Sequence, residues 1–509
     1  MIVGYVTRPT MPRPAALPFA ALLALAACVT EQGPLTNRMS HATTGYLSRA
    51  ARQPVRWQPW GPDAFVLAAR LDRPVLLVVG ADRCRPCADM DRVWADPALA
   101  SLVNALFVPV RVDRDERPDI AHRYRDVVRT LSGVDGYPLT VFLTADGAAF
   151  FGGTTFPVDD PATGRGLRQI LPEAARSYRE RREAVVSQAA AAQALAAGRP
   201  TLTHGLVGPA TVAAGVAGVR AALADALVPG GPSPIALARG AELLFAWFGE
   251  VGDSGDLQLA RRVIAYPPAA SSGGEPPALL RAAQVRALVR GWVVTGDSGL
   301  LLAARRVLGA ARPDLAIDPS EPVFTDATAF VIATALLAGP AVGDSVAPAH
   351  ARAALDSLLR RVYASELGAR HQTVGSVRGL LDDQAQLAGA CVAAFNATGE
   401  RRYLDVALEL AALMERDYAA PLGGYFDTAL PDPAVRAAPA KRVLDNGLPG
   451  ANAWVAGVLL DLSIATGDDA YRRRADATLE AFATVAAEGG LWSAGYFDAA
   501  RTAVALRRP

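Results

Sequence analysis

Cys84-Arg85-Pro86-Cys87 is the stretch of this 509-residue chain whose residue types and spacing point most directly to chemistry. A cysteine at the start of a helix feels the helix dipole and the unpaired first-turn amides, and both favour thiolate over thiol. Cys84 occupies that place, and Arg83 and Arg85 on either side of it add positive charge that tunes the sulfur in the same direction. Cys87, one turn further in, is then the resolving thiol, closing a disulfide after Cys84 attacks a partner. Pro86 suits a first helical turn, where its missing N–H is no loss. The same spacing could be half of a zinc site, but there is no second pair and the nearest downstream histidine is His122, so no metal is expected.

The elements around the dithiol can be read from hydrophobic pattern. Pro74 to Val79, Leu106 to Val112 and Leu139 to Leu143 are short apolar runs with turn residues at their ends, which is the pattern of buried strands. Helical spacing over Cys87 to Val103 and over Ile120 to Leu131 separates them, giving alternating strands and helices with parallel pairings. Ala145-Asp146-Gly147 is a tight turn, after which Ala148 to Phe151 should return antiparallel. Gly136-Tyr137-Pro138-Leu139-Thr140 opens the third strand, the place where a thioredoxin fold carries a cis-proline facing its dithiol. There the backbone of Tyr137 would pair with an extended substrate, with Pro138 beside it.

A formal net charge of +1 excludes the basic surplus of a nucleic-acid binder, and four cysteines are too few for a disulfide-built scaffold. Arg8 and Arg13 precede an apolar run, Pro18 to Ala27, that ends in Leu25-Ala26-Ala27-Cys28, the pattern of an export signal. Small residues before Cys28 resemble a bacterial lipobox, in which the cysteine is lipidated, the alternatives being an ordinary cleaved signal or a true start at Met11. By that same resemblance, the non-acidic Val29 after it implies an outer-membrane lipoprotein facing the periplasm. Beyond Leu167 strand signals fade and Ala, Leu and Arg dominate. Breaks of one type recur there, at Val251-Gly252-Asp253, Thr295-Gly296-Asp297, Thr398-Gly399-Glu400 and Thr466-Gly467-Asp468, each reading as a helix C-cap glycine followed by an acidic helix start. Their irregular spacing favours a closed toroid of helical hairpins over an open solenoid.

The segment from Thr36 to Pro157 resembles the first domain of the spermatogenesis-associated protein 20-like family. Pro54-Val55-Arg56-Trp57-Gln58-Pro59-Trp60-Gly61, the dithiol with Met90, Val112 to Ile120, Gly136 to Leu143 and Phe151-Gly152-Gly153-Thr154-Thr155-Phe156-Pro157 carry the likeness. The family usually has Cys-His-Trp-Cys-His at the dithiol, where this chain has Arg85, Pro86 and Ala88 at the variable places. Val78 stands near where thioredoxins keep a buried acid. The resemblance implies an α/β thioredoxin-like domain followed by an all-α (α/α) toroid related to six-hairpin glycosidases and sugar epimerases.

The chain therefore divides into a signal at 1–28, a tether at 29–45, a thioredoxin-like domain at 46–185, a helical linker at 186–204 and the toroid at 205–509. Asp382, Asp383, Tyr425, Asp427, Asn452 and Trp454 lie in or beside the toroid stretches that match the family and are candidates for a sugar pocket. Against that, Asp382 and Asp383 read as the capped start of a helix, Tyr425-Phe426-Asp427 recurs as Tyr496-Phe497-Asp498, and His350 and His371 read as surface or loop residues. The leading expectation is a cell-envelope thiol–disulfide oxidoreductase with a protein thiol or disulfide as partner, a lipid anchor, no cofactor and no nucleic acid. A carbohydrate-active or sugar-binding protein and a non-catalytic scaffold are the alternatives.

Overall fold

The computed structural model describes residues 35–82, 84–196, 204–227, 233–265, 276–318, 322–429 and 440–507. The export signal with Cys28, the flanking Arg83 and most of the Tyr266 to Pro277 stretch lie outside the described residues.

In the first domain, helix α1 (Gly45–Ala50) and strand β1 (Gln58–Pro59) lead into α2 (Pro62–Leu71), β2 (Val75–Gly80), α3 (Arg85–Trp94), α4 (Pro97–Leu106), β3 (Val108–Asp113), α5 (Pro118–Ser132), β4 (Leu139–Leu143), β5 (Ala149–Gly153), α6 (Leu167–Glu180) and α7 (Arg182–Ala196). The sheet order is β1-β3-β2-β4-β5. Every residue of β2, β3 and β4 is buried, as expected of strands covered by helices on both faces. One expectation fails in detail. The single helix expected from Cys87 to Val103 is two, because Pro97 cannot continue α3 and the Asp96 side chain caps α4 by accepting from Leu99 N at 2.7 Å.

The pairing also differs from a purely parallel sheet. Strands β2 and β3 are parallel, but β4 is antiparallel to β2 with Val79 opposite Leu139. Residues 133–138 carry the chain back to the end of the sheet at which β3 finished, so β4 starts there and runs the other way. The return of β5 antiparallel to β4 is as the turn at Asp146-Gly147 implies. The segment expected as a tether is already packed from Asn37 on, with its side-chain amide donating to the carbonyls of Ala50 and Val55. The alanine-rich stretch expected as a linker forms α7, which packs on α5 and β5.

The helical domain follows as α8 (Pro209–Asp225), α9 (Pro234–Val251), α10 (Ser254–Ala265), α11 (Pro277–Thr295), α12 (Ser298–Ala311), α13 (Thr325–Val342), α14 (Val346–Val362), α15 (Leu381–Thr398), α16 (Arg401–Asp417), α17 (Ala451–Thr466), α18 (Asp469–Glu488) and α19 (Ala494–Leu506). A two-stranded ribbon, β6 (Tyr363–Ala364) with β7 (Gly368–Ala369), sits between α14 and α15. The odd-numbered helices from α9 to α19 each pack against the next, and α19 packs back on α9, closing a ring. The even-numbered helices lie outside it. Inner helices such as α13 are buried on most of their circumference, whereas α16 buries one stripe containing Tyr403, Ala407, Leu410 and Met414. The Gly-Asp breaks act as expected. Gly296 and Gly467 adopt left-handed φ of 66° and 74° after α11 and α17, and Asp297 and Asp468 then cap α12 and α18.

Candidate functional site

Cys84 is the N-cap residue of α3, and its sulfur accepts from the backbone N–H of Cys87 at 3.2 Å. The two cysteines are joined by a disulfide. Cys84 is 5% exposed and Cys87 1%, so the pair lies at the edge of the domain core with Cys84 the more accessible. Arg85 is exposed at the first turn of α3. The Tyr137–Pro138 peptide is cis, as the sequence suggests. Because Val79 faces Leu139, Pro138 lies across from Gly80, the residue from which the chain departs toward the dithiol. Tyr137 packs against the same core cluster as Cys84 and Cys87, under the Arg114 guanidinium, which lies 5.0 Å from its ring centroid.

Two buried charged features on β3, the strand beside β2, are not visible in the motif. Arg111 on β3 has a fully buried side chain, ion-paired to Asp91 on α3 and stacked 3.9 Å over the Tyr46 ring. It therefore ties the dithiol helix to the sheet. Asp113, at the end of β3, pairs in register with Gly80 and is 3% exposed. Burial pushes its carboxyl up to about 7, with the charge of Asp115 adding to the rise. Val78 is apolar as expected, and the buried acid sits instead one strand over. The available signal was an acid ending an otherwise apolar buried run.

Where the two domains meet, His371 corrects an expectation. It lies in the loop between β7 and α15, as one of the two readings has it, but it is not a surface residue, being 1% exposed. Its Nδ1 lies 2.9 and 3.1 Å from the Asp383 carboxylate oxygens, and its Nε2 lies 2.8 Å from the backbone carbonyl of Asp115 in the first domain. Both partners can only accept, so both ring nitrogens carry protons and the ring is an imidazolium. Burial alone would lower its pKa, but the charge and hydrogen bond of Asp383, with Asp326 and the Asp115 carbonyl, lift it to about 10. Beside it, Gln372 donates to Glu116 at 3.1 Å, and Asn446 lies 2.6 Å from His122.

Asp383 thus bonds His371 rather than capping α15, whose N-cap, Leu380, makes no side-chain bond. Although the histidines are scattered in sequence, the fold gathers Asp326, His371 and Asp383 with ligand-type atoms within 4.8 Å of one another. The two acceptors already facing the imidazole nitrogens make this an ion-pair cluster. Asp382 joins it, half-buried, with its carboxyl pushed up to about 7 by burial and by its neighbours Asp326 and Asp383. Asp427 lies close enough to feel the charge of Asp382 and is paired with Arg442 at 2.7 Å. Asn452 is fully buried, accepting from Tyr425 N at 2.7 Å and donating to the carbonyls of Tyr425 and Arg442. The Tyr425 hydroxyl bonds Glu415. Trp454 stands apart, two residues further along α17 and so on a different face, with its indole N–H on the Ala385 carbonyl. Cys391 is the buried small apolar residue expected.

Residues 36–196 match the family model described as "Protein of unknown function, DUF255" (Thioredox_DsbH). Spermatogenesis-associated protein 20 of Homo sapiens is 38% identical over 136 residues, 26% of this chain and 17% of that protein. The first domain belongs to the spermatogenesis-associated protein 20-like family. The aligned part spans only about a sixth of that relative, so the family's likeness is anchored in this thioredoxin-like domain. Among solved structures, an unsaturated glucuronyl hydrolase specific for heparin is similar at a TM-score of 0.47 and 12% identity, covering 59% of this chain and 99% of that one. The unsaturated glucuronyl hydrolase of Bacillus sp. GL1 gives 0.40 and 15%, covering 53% and 85%. The helical part is an α/α toroid by its own packing, a closed ring of inner helices with the others outside it.

Proposed function

We propose that the protein is a thiol–disulfide oxidoreductase of the bacterial cell envelope, acting through Cys84 and Cys87 on a protein partner. The observation that carries this reading is the dithiol itself: it is closed as a disulfide at the start of α3, and Tyr137-Pro138 enters the neighbouring strand across from it. In the reducing direction the Cys84 thiolate attacks a partner disulfide. One partner sulfur leaves as a thiolate that takes up a proton, and a mixed disulfide remains. The Cys87 thiolate then attacks Cys84, the second partner thiol departs, and two electrons have passed from the dithiol to the partner.

Cys84→Ser should lose disulfide reduction in an insulin-type assay, and equal rates in variant and wild type would overturn the reading. A Cys87→Ser variant should accumulate a mixed disulfide with its partner. The proposed location rests on the lipobox-like residues before Cys28. A Cys28→Ser chain should move from the membrane fraction to the soluble fraction and lose incorporation of labelled fatty acid.

A further inference from the structure

We propose that the axis of the helical ring holds a binding site for a small organic acid, entered from the end of the ring remote from the thioredoxin-like domain. The inner helices turn small residues to the axis, among them Gly389, Gly457, Ala333 and Ala453, and enclose a cavity of about 620 Å³. Metabolite sites commonly occupy about 300–1,000 Å³. On α13 and α15 the lining runs through 333–340 and 389–397, in their C-terminal halves, while on α17 and α19 it runs from the first turn to the middle, through 453–461 and 494–502. Its exposed members, such as Leu337, Asn396 and Asp461, mark the mouth there. Asp326, Asp382 and Asp383 occupy the first turns of α13 and α15, line none of it, and face the thioredoxin-like domain.

Polar groups in the cavity are left incomplete in a consistent way. Four arginines and three acids line it. Arg286 is held by Glu242 at 3.0 Å, and Arg501 by Asp498 and Glu250 at 2.7 Å each. Arg239 bonds Asp445 through Nε, yet its Nη1 has no partner although the residue is only 7% exposed. A buried guanidinium N–H without an acceptor is costly. Arg290, in the C-terminal half of α11, makes no hydrogen bond or ion pair among the described residues, though it feels the charge of Asp498. Asp461 likewise has no donor. It is reached by water through the cavity but surrounded by protein, and this pushes its carboxyl up to about 6. Trp454, edge-on to Phe330, adds an apolar wall with Leu243 and Val458. A carboxylate would satisfy the arginines and a hydroxyl would satisfy Asp461, so the ligand class is a hydroxylated carboxylic acid.

Gly457 supplies the test. A Cβ there would meet nothing within 4 Å, so a side chain at this lining position starts from open space. Gluconate and citrate are the probes for the full-length protein, by calorimetry and thermal shift, and sorbitol is the control that keeps the hydroxyls of gluconate but lacks the carboxylate. At least one acid should bind at millimolar concentration or below and raise the melting temperature, while sorbitol does neither. Arg290→Met should weaken binding by roughly tenfold or more. Gly457→Leu should abolish it with helical circular dichroism unchanged. Absence of binding by both acids, equal binding of sorbitol, or affinity untouched by Arg290→Met and Gly457→Leu would each overturn the proposal. If Gly457→Leu does not fold, Arg290→Met alone decides.

Discussion

Replacing His371 by Ala tests the physics of the domain junction most sharply. The substitution removes an imidazolium that donates to Asp383 and to the Asp115 carbonyl, and it leaves Asp383, with no exposed side-chain surface, among Asp326 and Asp382. Breaking a buried ion pair from one side costs about 3–5 kcal/mol, because a buried charge is stranded. The lift of the His371 pKa from 6.5 to about 10 gives a figure on the same scale, roughly 5 kcal/mol. Urea unfolding at neutral pH, followed by circular dichroism and tryptophan fluorescence, should show a loss in that range. His371→Ala/Asp383→Leu should be less destabilised than His371→Ala alone, since the stranded carboxylate is gone. The pH dependence has a definite sign. Because the folded pKa is raised, the stabilisation is fully present below about 6.5 and is lost as pH rises through about 10, and the His371→Ala curve should lack that slope. A cost below about 1 kcal/mol, the value of an exposed pair, or simple additivity in the double variant would refute the reasoning.

Three other substitutions probe the framework. Asp113→Asn should flatten stability between about pH 4 and 7: there the folded wild type keeps a proton that the unfolded chain has lost, so wild-type stability falls as pH rises, and denaturation curves across the window will show it. Arg111→Lys should lower stability by about 2 kcal/mol or more in thermal melts, since an ammonium cannot both stack on Tyr46 and hold Asp91 as the planar guanidinium does. Asn452→Ala, which orphans Tyr425 N and two carbonyls, should cost about 3 kcal/mol in urea unfolding.

The parts of the structure that were legible in sequence are those set by local rules. The buried strands show as apolar runs, the dithiol shows by its spacing, and the hairpin breaks show because a glycine must take up left-handed backbone where an inner helix ends. What could not be read depends on partners far away in the chain. His371 looks like a loop histidine until Asp115, 256 residues earlier, is brought against it. Asp113 looks like the polar end of a strand until Gly80 is placed beside it. The direction of β4 turns on where residues 133–138 deliver the chain, which hydrophobic periodicity does not encode. Similarly, Asp383 matches a capping residue by position, and only the packed junction reveals its use as a counter-ion.

The closure of α19 onto α9 changes what the helical domain can tolerate. Gly205 N donates to the Glu480 carbonyl at 3.1 Å, and Arg507 donates to the Val207 carbonyl at 2.6 Å, so the two ends of the ring are stitched side by side. An open repeat array can shed its last unit and lose a single interface. Here, deleting α19 would bare the flanks of both α9 and α17 and unroof the axis between them. Conversely, joining the two stitched ends and cutting instead at the turn after α13 would preserve every neighbour in the ring. Chain order within this domain is therefore far more expendable than its circumference.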